Sequence, residues 1–152
     1  VLPGGESTTI VKLARIFNIF QTIKDRIKSG MPVYGSCAGL ILLSDRILDG
    51  AKEQETFGGL DITTRRNAFG RQVDSFEGEI DFQGLGKIQG VFIRAPWVEE
   101  VGPNVEVLAS VDGHAVAVRQ RNLFATSFHP ELTADLAVHR YFIENICKVA
   151  KR

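Results

Sequence analysis

A cysteine between two glycines is the first feature of this chain that could carry chemistry. Residues 35–39 read Gly-Ser-Cys-Ala-Gly, which is the spacing of the G-x-S-x-G nucleophile elbow with sulfur in place of the serine oxygen. Such a turn brings backbone against backbone, so the flanking glycines have a steric purpose. It would also place Cys37 at a helix N-terminus, where unpaired N–H groups favour a thiolate. The pattern predicts a nucleophile, although by itself it suits an ordinary strand-to-helix connection around a buried cysteine equally well.

A cysteine nucleophile needs a base, because a free thiol is only a few per cent thiolate at neutral pH. The best candidate is His129, which ends the apolar run 124–128 and precedes Pro130 and Glu131. A neighbouring carboxylate can hold an imidazole in one tautomer and stabilise it once it is protonated. We therefore predict Cys37 as nucleophile, His129 as base and Glu131 as its orienting group. The alternative is a strand-end histidine followed by an acidic residue in the first turn of a helix.

Acyl chemistry also needs hydrogen-bond donors for the oxyanion. The N–H of Ala38, directly after the nucleophile, is the natural first donor. A backbone N–H of the Gly-Gly turn, at Gly5, is the natural second, because glycine lets the chain approach a ligand closely. Taken alone, that turn could equally be a plain tight turn.

Composition narrows the range of functions. The 152 residues are 44% hydrophobic, which fits one globular domain, and 18 basic residues balance 18 acidic ones. Without net charge or a long apolar run, neither a nucleic acid nor a membrane is an expected partner. Two distant cysteines make no disulfide framework, which favours the cytoplasm. The histidines, cysteines and carboxylates show no metal-ligand spacing, so we expect no metal and no other cofactor. We interpret His114 as a solvated turn residue and His139 as a structural helix residue.

The elements around these motifs indicate an α/β sandwich with a mixed sheet. Helix-start residues at 6–9, followed by apolar residues, predict a first helix, and apolar spacing predicts an amphipathic helix over 16–28, a helix ending at Leu43 and a closing helix over 134–150. The face predicted to be buried in the closing helix comprises Leu136, Val138, Phe142, Ile143, Ile146 and Val149. Extended segments are predicted at 32–34, 60–64, 76–82, 90–93, 105–111, 115–118 and 123–128, and a surface loop at 49–59. The three turn motifs follow predicted strands, so we expect them to meet on one rim of the sheet.

The motifs resemble those of a known family. Residues 2–7 (Leu-Pro-Gly-Gly-Glu-Ser), 35–39 and 128–131 (Phe-His-Pro-Glu) are similar, in the same order, to the three signatures of class I (triad) glutamine amidotransferases. Residues 66–77 and 90–96 more narrowly resemble the glutaminase subunits of pyridoxal 5'-phosphate synthase. The resemblance extends from residue 1 to about residue 146. It implies a flavodoxin-like sandwich with a mixed, mainly parallel central sheet, formed by a single domain over 1–152 that lacks the N-terminal strand and helix of the family.

The resemblance also implies an activity. Members hydrolyse L-glutamine to glutamate and ammonia through a cysteine thioester, here on Cys37, and pass the ammonia to a (β/α)₈-barrel synthase subunit. The residues that would line the glutamine site are Gly5, Glu6, Ser7, Arg66, Ile93 and Arg94. An arginine suits the carboxylate of a free amino acid and a glutamate suits its ammonium group.

Several alternatives remain open from the sequence. The chain could be a glutaminase of another pathway, such as imidazole glycerol phosphate synthase, or a non-catalytic interaction subunit with a vestigial triad. Arg66 and Arg94 could be solvated strand-end charges.

The chain differs from the family at Ser36, where threonine is usual. The difference is mild, because serine keeps a hydroxyl. Because a Gly-Gly peptide flips at little cost, we also expect the isolated subunit to be a poor glutaminase.

Overall fold

The computed structural model describes residues 1–50, 54–69 and 75–148. The helices are α1 (Ser7–Ile16), α2 (Phe20–Lys28), α3 (Ala38–Leu43) and α4 (Ala137–Tyr141), which continues as a π-helical turn (Phe142–Ile146), with a 3₁₀ turn at Pro130–Leu132. The strands are β1 (Val33–Ser36), β2 (Ser44–Leu48), β3 (Leu60–Arg65), β4 (Ser75–Phe82), β5 (Gly86–Ile93), β6 (Trp97–Val101), β7 (Glu106–Val111), β8 (His114–Gln120) and β9 (Leu123–Thr126).

The central sheet is mixed, as predicted. Within the described residues its order is β1-β9-β8-β6-β3-β2, and β7 also pairs with β8, outside this linear order. Strands β1 and β9 pair in parallel, as do β2 and β3, whereas β3, β6, β8 and β9 follow one another antiparallel. Strands β4 and β5 form a separate antiparallel hairpin. The parallel pairing expected from the family is thus found between the two strands that precede Cys37 and His129.

Three chain segments end at the same rim of this sheet. The parallel register sets Ser36 beside Thr126 at the carboxyl ends of β1 and β9. On the other side of β1, the N–H of Leu2 donates to the Tyr34 carbonyl at 2.7 Å, and the N–H of Ser36 donates to the Leu2 carbonyl at 3.1 Å. The Gly-Gly turn, the cysteine turn and the histidine turn therefore begin side by side, which confirms the prediction that they meet.

Alternating side chains build a core on each face of the sheet. Leu123 and Ala125 of β9 join α1, α2 and α3 in one apolar cluster, whereas Phe124 joins the hairpin and the closing helix in a second. This alternation is the period of two expected for a strand that is covered on both faces. Phe124 and Ala125 are fully buried. The cysteine and histidine turns are therefore attached to strands that can shift little.

The amphipathic helix predicted over 16–28 is wrong at its start. Helix α1 ends at Ile16, and the chain is turned away from the helix axis at Asn18, whose φ of 57° is left-handed. The N–H groups of Ile19 and Asn18 donate to Ala14 and Arg15, respectively, at 2.9 and 3.1 Å, which is the Schellman pattern that closes a helix. Apolar spacing continues through this break, but Ile16 and Ile19 are exposed.

The closing helix also differs from its prediction. It begins at Ala137 and widens into a π-helical turn, in which the N–H of Cys147 donates to the Phe142 carbonyl at 3.0 Å. This widening changes the phase of the buried face. Leu136 and Ile143, predicted to be buried, are exposed, whereas Val138, Phe142 and Ile146 are buried. Val149, residues 51–53 of the predicted loop and residues 70–74 of the narrower motif lie outside the described residues.

Two strands were not predicted. Strand β2 (Ser44–Leu48) starts at the end of α3, and β6 (Trp97–Val101) contains adjacent glutamates. Both carry mostly exposed side chains, so neither shows the apolar run or the clean alternation that marks a strand in a sequence. They form because β3 offers a pairing partner on each of its sides.

Candidate active site

The cysteine turn has the predicted nucleophile-elbow geometry. Cys37 has φ 50° and ψ −103°, a left-handed conformation between β1 and α3. A Cβ added to Gly35 would lie 2.5 Å from the Gly39 carbonyl, and one added to Gly39 would lie 2.4 Å from the Leu2 oxygen. Real Cβ atoms do not come this close to backbone, so both glycines are required sterically. The Cys37 N–H donates to the Thr126 carbonyl at 2.8 Å, which fixes the elbow against β9.

The thiol of Cys37 is largely buried, with 8% of the residue exposed. Burial raises the pKa of this thiol to about 11, and the hydrogen bond from the Ala38 N–H lowers it only in part. Desolvation therefore raises the pKa of Cys37 more than the N–H group at the start of α3 lowers it. This result is contrary to the expectation that the turn alone favours a thiolate. The sulfur lies 4.0 Å from the Ile93 carbonyl oxygen. The thiol is neutral in this geometry, and its attack on a substrate requires a base.

His129 supplies an imidazole oriented by a carboxylate. Its Nδ1 lies 2.7 Å from Oε1 of Glu131, so an ionised Glu131 places the proton on Nδ1 and leaves Nε2 as the acceptor. The His129 N–H donates to the Val91 carbonyl at 2.8 Å, which ties the turn to β5. A Cβ at Gly4 would lie 2.4 Å from Cε1 of the ring, so the Gly-Gly turn packs directly on the imidazole.

These side chains open onto one cavity of about 320 Å³, within the range for small-molecule sites. Its lining comprises Gly5, Glu6, Ser7, Cys37, Ala38, Ile41, Arg66, Asn67, Ile93, Arg94, Pro96 and His129. The structure thus brings together every site residue predicted from the sequence except Glu131, which lies behind His129. Three further lining residues, Ile41, Asn67 and Pro96, were not predicted. Each lies within or beside one of the motifs, and this closeness in sequence could have identified them.

Around Arg66, charged and amide side chains form a connected group. Nη2 of Arg66 lies 2.6 Å from Oε1 of Glu6, and its Nη1 donates to Oε1 of Gln54 at 3.0 Å. The Gln54 amide in turn donates to the Ser7 hydroxyl at 2.6 Å. The guanidinium of Arg66 is therefore held at the cavity wall by two partners. Gln54 does not itself line the cavity but supports two residues that do, and it had no sequence signal because it lies in the segment predicted to be a loop.

The candidate oxyanion donors both reach the cavity. Ala38 presents its N–H to the cysteine sulfur. Gly5 has φ +127°, a conformation that L side chains rarely adopt, and has open space on its Cβ side. Arg94, also at the wall, has a left-handed φ of 43°. Strained backbone of this kind concentrates at functional sites.

The other two histidines lie outside this cavity. His114, interpreted as a solvated turn residue, instead stacks on Trp97, with ring centroids 3.7 Å apart. His139 packs edge-on against Tyr34 at 6.1 Å, and its buried Nδ1 has no hydrogen-bond partner in the part of the chain that the structure describes. Across the described ranges, no group of three or more histidine, cysteine or carboxylate side chains could hold a metal ion. None of the helices in those ranges is long and apolar enough to cross a membrane.

Similar proteins agree on one family. Residues 1–148 match the model of the SNO glutamine amidotransferase family. A protein from Nocardioides sp., named pyridoxal 5'-phosphate synthase subunit PdxT, is 63% identical over 95% of this chain and 75% of its own length. Proteins of the same name from Streptomyces coelicolor and Kineococcus radiotolerans are 60% and 58% identical, with 96% and 95% of this chain and 73% and 74% of their own lengths covered.

Solved structures agree with this assignment. A crystal structure described as a glutamine amidotransferase superposes with a TM-score of 0.90 at 49% identity, over 97% of this chain and 77% of that one. A glutamine amidotransferase from Thermotoga maritima superposes with a TM-score of 0.58 at 12% identity, covering 97% of this chain and 63% of that one, and it supports the fold alone. The match over nearly the whole chain, together with the relatives at 58–63% identity, establishes that this chain belongs to the SNO glutamine amidotransferase family.

Proposed function

We propose that this chain hydrolyses L-glutamine to L-glutamate and ammonia, and that the ammonia is passed to a pyridoxal 5'-phosphate synthase subunit. One observation carries the proposal. A buried thiol and a carboxylate-oriented imidazole line the same small cavity as an arginine and a glutamate. The names of the PdxT relatives specify the synthase, and the narrower motifs at 66–77 and 90–96 favour it over other amidotransferase pathways.

Substrate recognition in this proposal uses the group of side chains around Arg66. Free glutamine carries a carboxylate and an ammonium group, which are complementary to Arg66 and Glu6. These two side chains now pair with each other at 2.6 Å, so the substrate exchanges one ion pair for two. Ser7, Arg94 and the backbone of Ile93 complete the binding wall and direct the substrate carboxamide towards the sulfur.

The chemical steps follow from the order of the groups. Nε2 of His129 takes the thiol proton while Sγ of Cys37 attacks the carboxamide carbon. The N–H groups of Ala38 and Gly5 hold the oxyanion. The tetrahedral intermediate then collapses, the C–N bond breaks, and the imidazolium gives its proton to the departing ammonia.

The second half of the reaction repeats the first with water. The thioester on Cys37 is attacked by a water molecule that gives a proton to His129. A second tetrahedral intermediate breaks the C–S bond and releases glutamate, and the imidazolium returns a proton to the sulfur. Glu131 stabilises the imidazolium in both halves without itself being protonated.

The setting of the reaction belongs to the same proposal. The 152 residues act as one glutamine amidotransferase domain, the partner is a (β/α)₈-barrel subunit, and the complex works in the cytoplasm. The two cysteines are free thiols, which suits a reducing compartment. Without the partner the rate is low, because the peptide at Gly5 has to adopt the orientation that presents its N–H to the oxyanion.

Glutamate release from glutamine, with and without the synthase subunit, tests the proposal. We expect partner-dependent release that Cys37→Ala abolishes and that Cys147→Ala, which removes the other free cysteine, leaves unchanged. An electrophilic glutamine analogue should label Cys37, as read by peptide mass spectrometry. An unlabelled Cys37 would favour a non-catalytic interaction subunit, and activity only with a different barrel protein would favour another pathway.

A further inference from the structure

Two buried hydroxyls lie on the strands that lead to Cys37 and His129. The Tyr34 hydroxyl is 2.9 Å from Oγ1 of Thr126, and that Oγ1 donates to the Phe128 carbonyl at 2.9 Å. A carbonyl can only accept, so the Thr126 proton is committed to Phe128 and Tyr34 is the donor to Thr126. Tyr34 and Thr126 are 1% and 0% exposed. The relay therefore has one direction, from Tyr34 through Thr126 to the residue before His129.

Thr126 also contacts the nucleophile turn. Its backbone carbonyl accepts the N–H of Cys37 at 2.8 Å. One residue thus binds the backbone of the nucleophile with its carbonyl and the segment of the base with its hydroxyl.

The hydroxyl acts on a rigid unit. The Phe128 carbonyl and the His129 N–H belong to one planar peptide group. The carbonyl end is held by Thr126 and the N–H end by the Val91 carbonyl at 2.8 Å. Strand β9 ends at Thr126, so no sheet ladder holds this peptide plane, and these two bonds fix its tilt.

We propose that Thr126, with Tyr34 as its donor, is a positioning residue that sets the imidazole of His129 relative to the sulfur of Cys37. The proposal rests on the proposed glutaminase function. Loss of the Thr126 hydroxyl frees one end of the 128–129 peptide plane, and the plane then tilts about the remaining bond to Val91. The imidazole at the end of that plane moves away from its working distance to the sulfur.

The chain contains a matched control for this relay. Thr64 and Ser44, both 0% exposed, lie with their hydroxyls 2.5 Å apart, and Ser44 donates to the Leu40 carbonyl at 2.8 Å. This is the same hydroxyl-hydroxyl-carbonyl arrangement, but it joins Thr64 of β3 through Ser44, which directly follows α3, to the Leu40 carbonyl within α3, and it contacts neither His129 nor Glu131. Ser44→Ala therefore matches Thr126→Val, since each removes the middle hydroxyl of a buried relay.

The test compares four variants in the presence of the synthase subunit. For Thr126→Val we expect kcat for glutamate release to fall about 10- to 10²-fold, the effect of a displacement near 1 Å, with KM changed less than about 2-fold. Thr126→Ser keeps the hydroxyl and should stay within about 3-fold of the parent kcat, whereas Tyr34→Phe should lose about 3- to 10-fold. Ser44→Ala should lose stability and keep its kcat within about 2-fold.

A second readout does not need glutamine. The rate of Cys37 alkylation by iodoacetamide, followed against pH, reports how well the imidazole assists the thiol. The profile of Thr126→Val should approach that of His129→Ala, and the profile of Ser44→Ala should match the parent. If the parent releases no glutamate, the proposed function fails, while alkylation still decides the positioning role.

Three results would overturn the proposal: an unchanged kcat for Thr126→Val, an equal loss for Ser44→Ala, or no recovery with Thr126→Ser. Should Thr126→Val fail to fold, Tyr34→Phe decides in its place. An unchanged kcat and an unchanged alkylation profile in that variant would also overturn the positioning role.

Discussion

The two walls of the cavity are built in different ways. On the nucleophile wall, backbone contacts decide the geometry: Gly35 and Gly39 admit no side chain, and Cys37 is tied to Thr126 through its N–H. On the second wall, Glu6 and Arg66 are held by side-chain contacts, and the Glu6 side chain is 57% exposed. Steric contacts between backbone atoms do not rearrange, whereas partly exposed ion pairs exchange partners readily.

In the proposed function, this difference separates the catalytic residues from the substrate-binding residues. In the proposed reaction, the wall around Cys37 is fixed before the substrate arrives, and the wall around Arg66 exchanges its internal ion pair for contacts with glutamine. Substitutions in the first wall should therefore lower kcat or the free energy of unfolding. Substitutions in the second should mainly raise KM.

Gly39→Ala should have the largest effect. Its Cβ would lie 2.4 Å from the Leu2 carbonyl oxygen, so β1, α3 or the N-terminal segment must shift. We expect the free energy of unfolding to fall by about 3 kcal/mol or more, measured by urea denaturation. Gly78→Ala, at a position with open space and an ordinary φ, is the control and should be nearly neutral. A mild effect at Gly39 would show that the elbow is more adaptable than its contacts indicate.

Glu131→Gln should come next. The amide cannot stabilise a protonated imidazole as a carboxylate does, and it permits the wrong tautomer of His129, so kcat should fall about 10²-fold or more with KM little changed. Steady-state glutamate release measures both constants. A loss confined to KM would place Glu131 in substrate recognition and not in the triad.

Gly4→Ala should separate catalysis from stability. The added methyl would lie 2.4 Å from Cε1 of His129, and the imidazole, unlike backbone, can rotate away. We expect kcat to fall about 10-fold or more while the free energy of unfolding changes by less than about 1 kcal/mol. Equal losses in both quantities would mean that the turn at Gly4 is as rigid as the elbow.

The raised pKa of Cys37 predicts a pH dependence of stability. The folded-state pKa of about 11 lies above the ordinary value of 9.0, so the neutral thiol stabilises the fold fully below pH 9 and progressively less as pH rises to about 11. Relative to Cys37→Ala, the parent should lose about 2 kcal/mol of unfolding free energy between pH 8 and pH 11. The pKa of Tyr34 is also raised by burial, but that contribution is common to both proteins. Parallel pH profiles would mean that the thiol is not desolvated.

Arg66→Lys should have the smallest effect and should sharpen the contrast between the walls. Lysine keeps the charge but loses the fork that contacts Glu6 and Gln54 together, so KM for glutamine should rise about 10-fold with kcat within about 3-fold. Arg65→Lys is the matched control, because Arg65 pairs with Asp49 and Glu99 and does not line the cavity. An equal KM for the two variants would remove Arg66 from substrate recognition.

The sequence predicted which residues meet at the cavity better than it predicted the elements that carry them. Cys37, His129 and the Gly-Gly turn lie in short motifs whose chemistry depends on adjacent residues, so local reading was sufficient. The end of α1 had a local signal in Asn18 that apolar spacing concealed. The π-helical turn at Phe142–Ile146 and strand β6 had none, because each depends on partners distant in the sequence.

Gln54 and Thr126 show a second limit. Gln54 lies in a polar stretch and acquires its contacts with Arg66 and Ser7 only through the fold. Thr126 resembles any buried strand residue, and its role depends on Cys37 and Phe128 reaching it from different directions. Residues that act through others leave no pattern of their own in a single sequence.

The sulfur of Cys37 lies 4.0 Å from the Ile93 carbonyl oxygen, and its burial raises its pKa. This burial protects the cysteine in the resting enzyme. Peroxides and adventitious alkylating agents react with thiolates far faster than with thiols. A sulfur kept protonated by its burial is therefore resistant to oxidative damage between turnovers. Reactivity rises when the imidazole accepts the proton, as it does in the proposed reaction with glutamine bound, so the same desolvation that slows the empty site preserves it for the next substrate molecule.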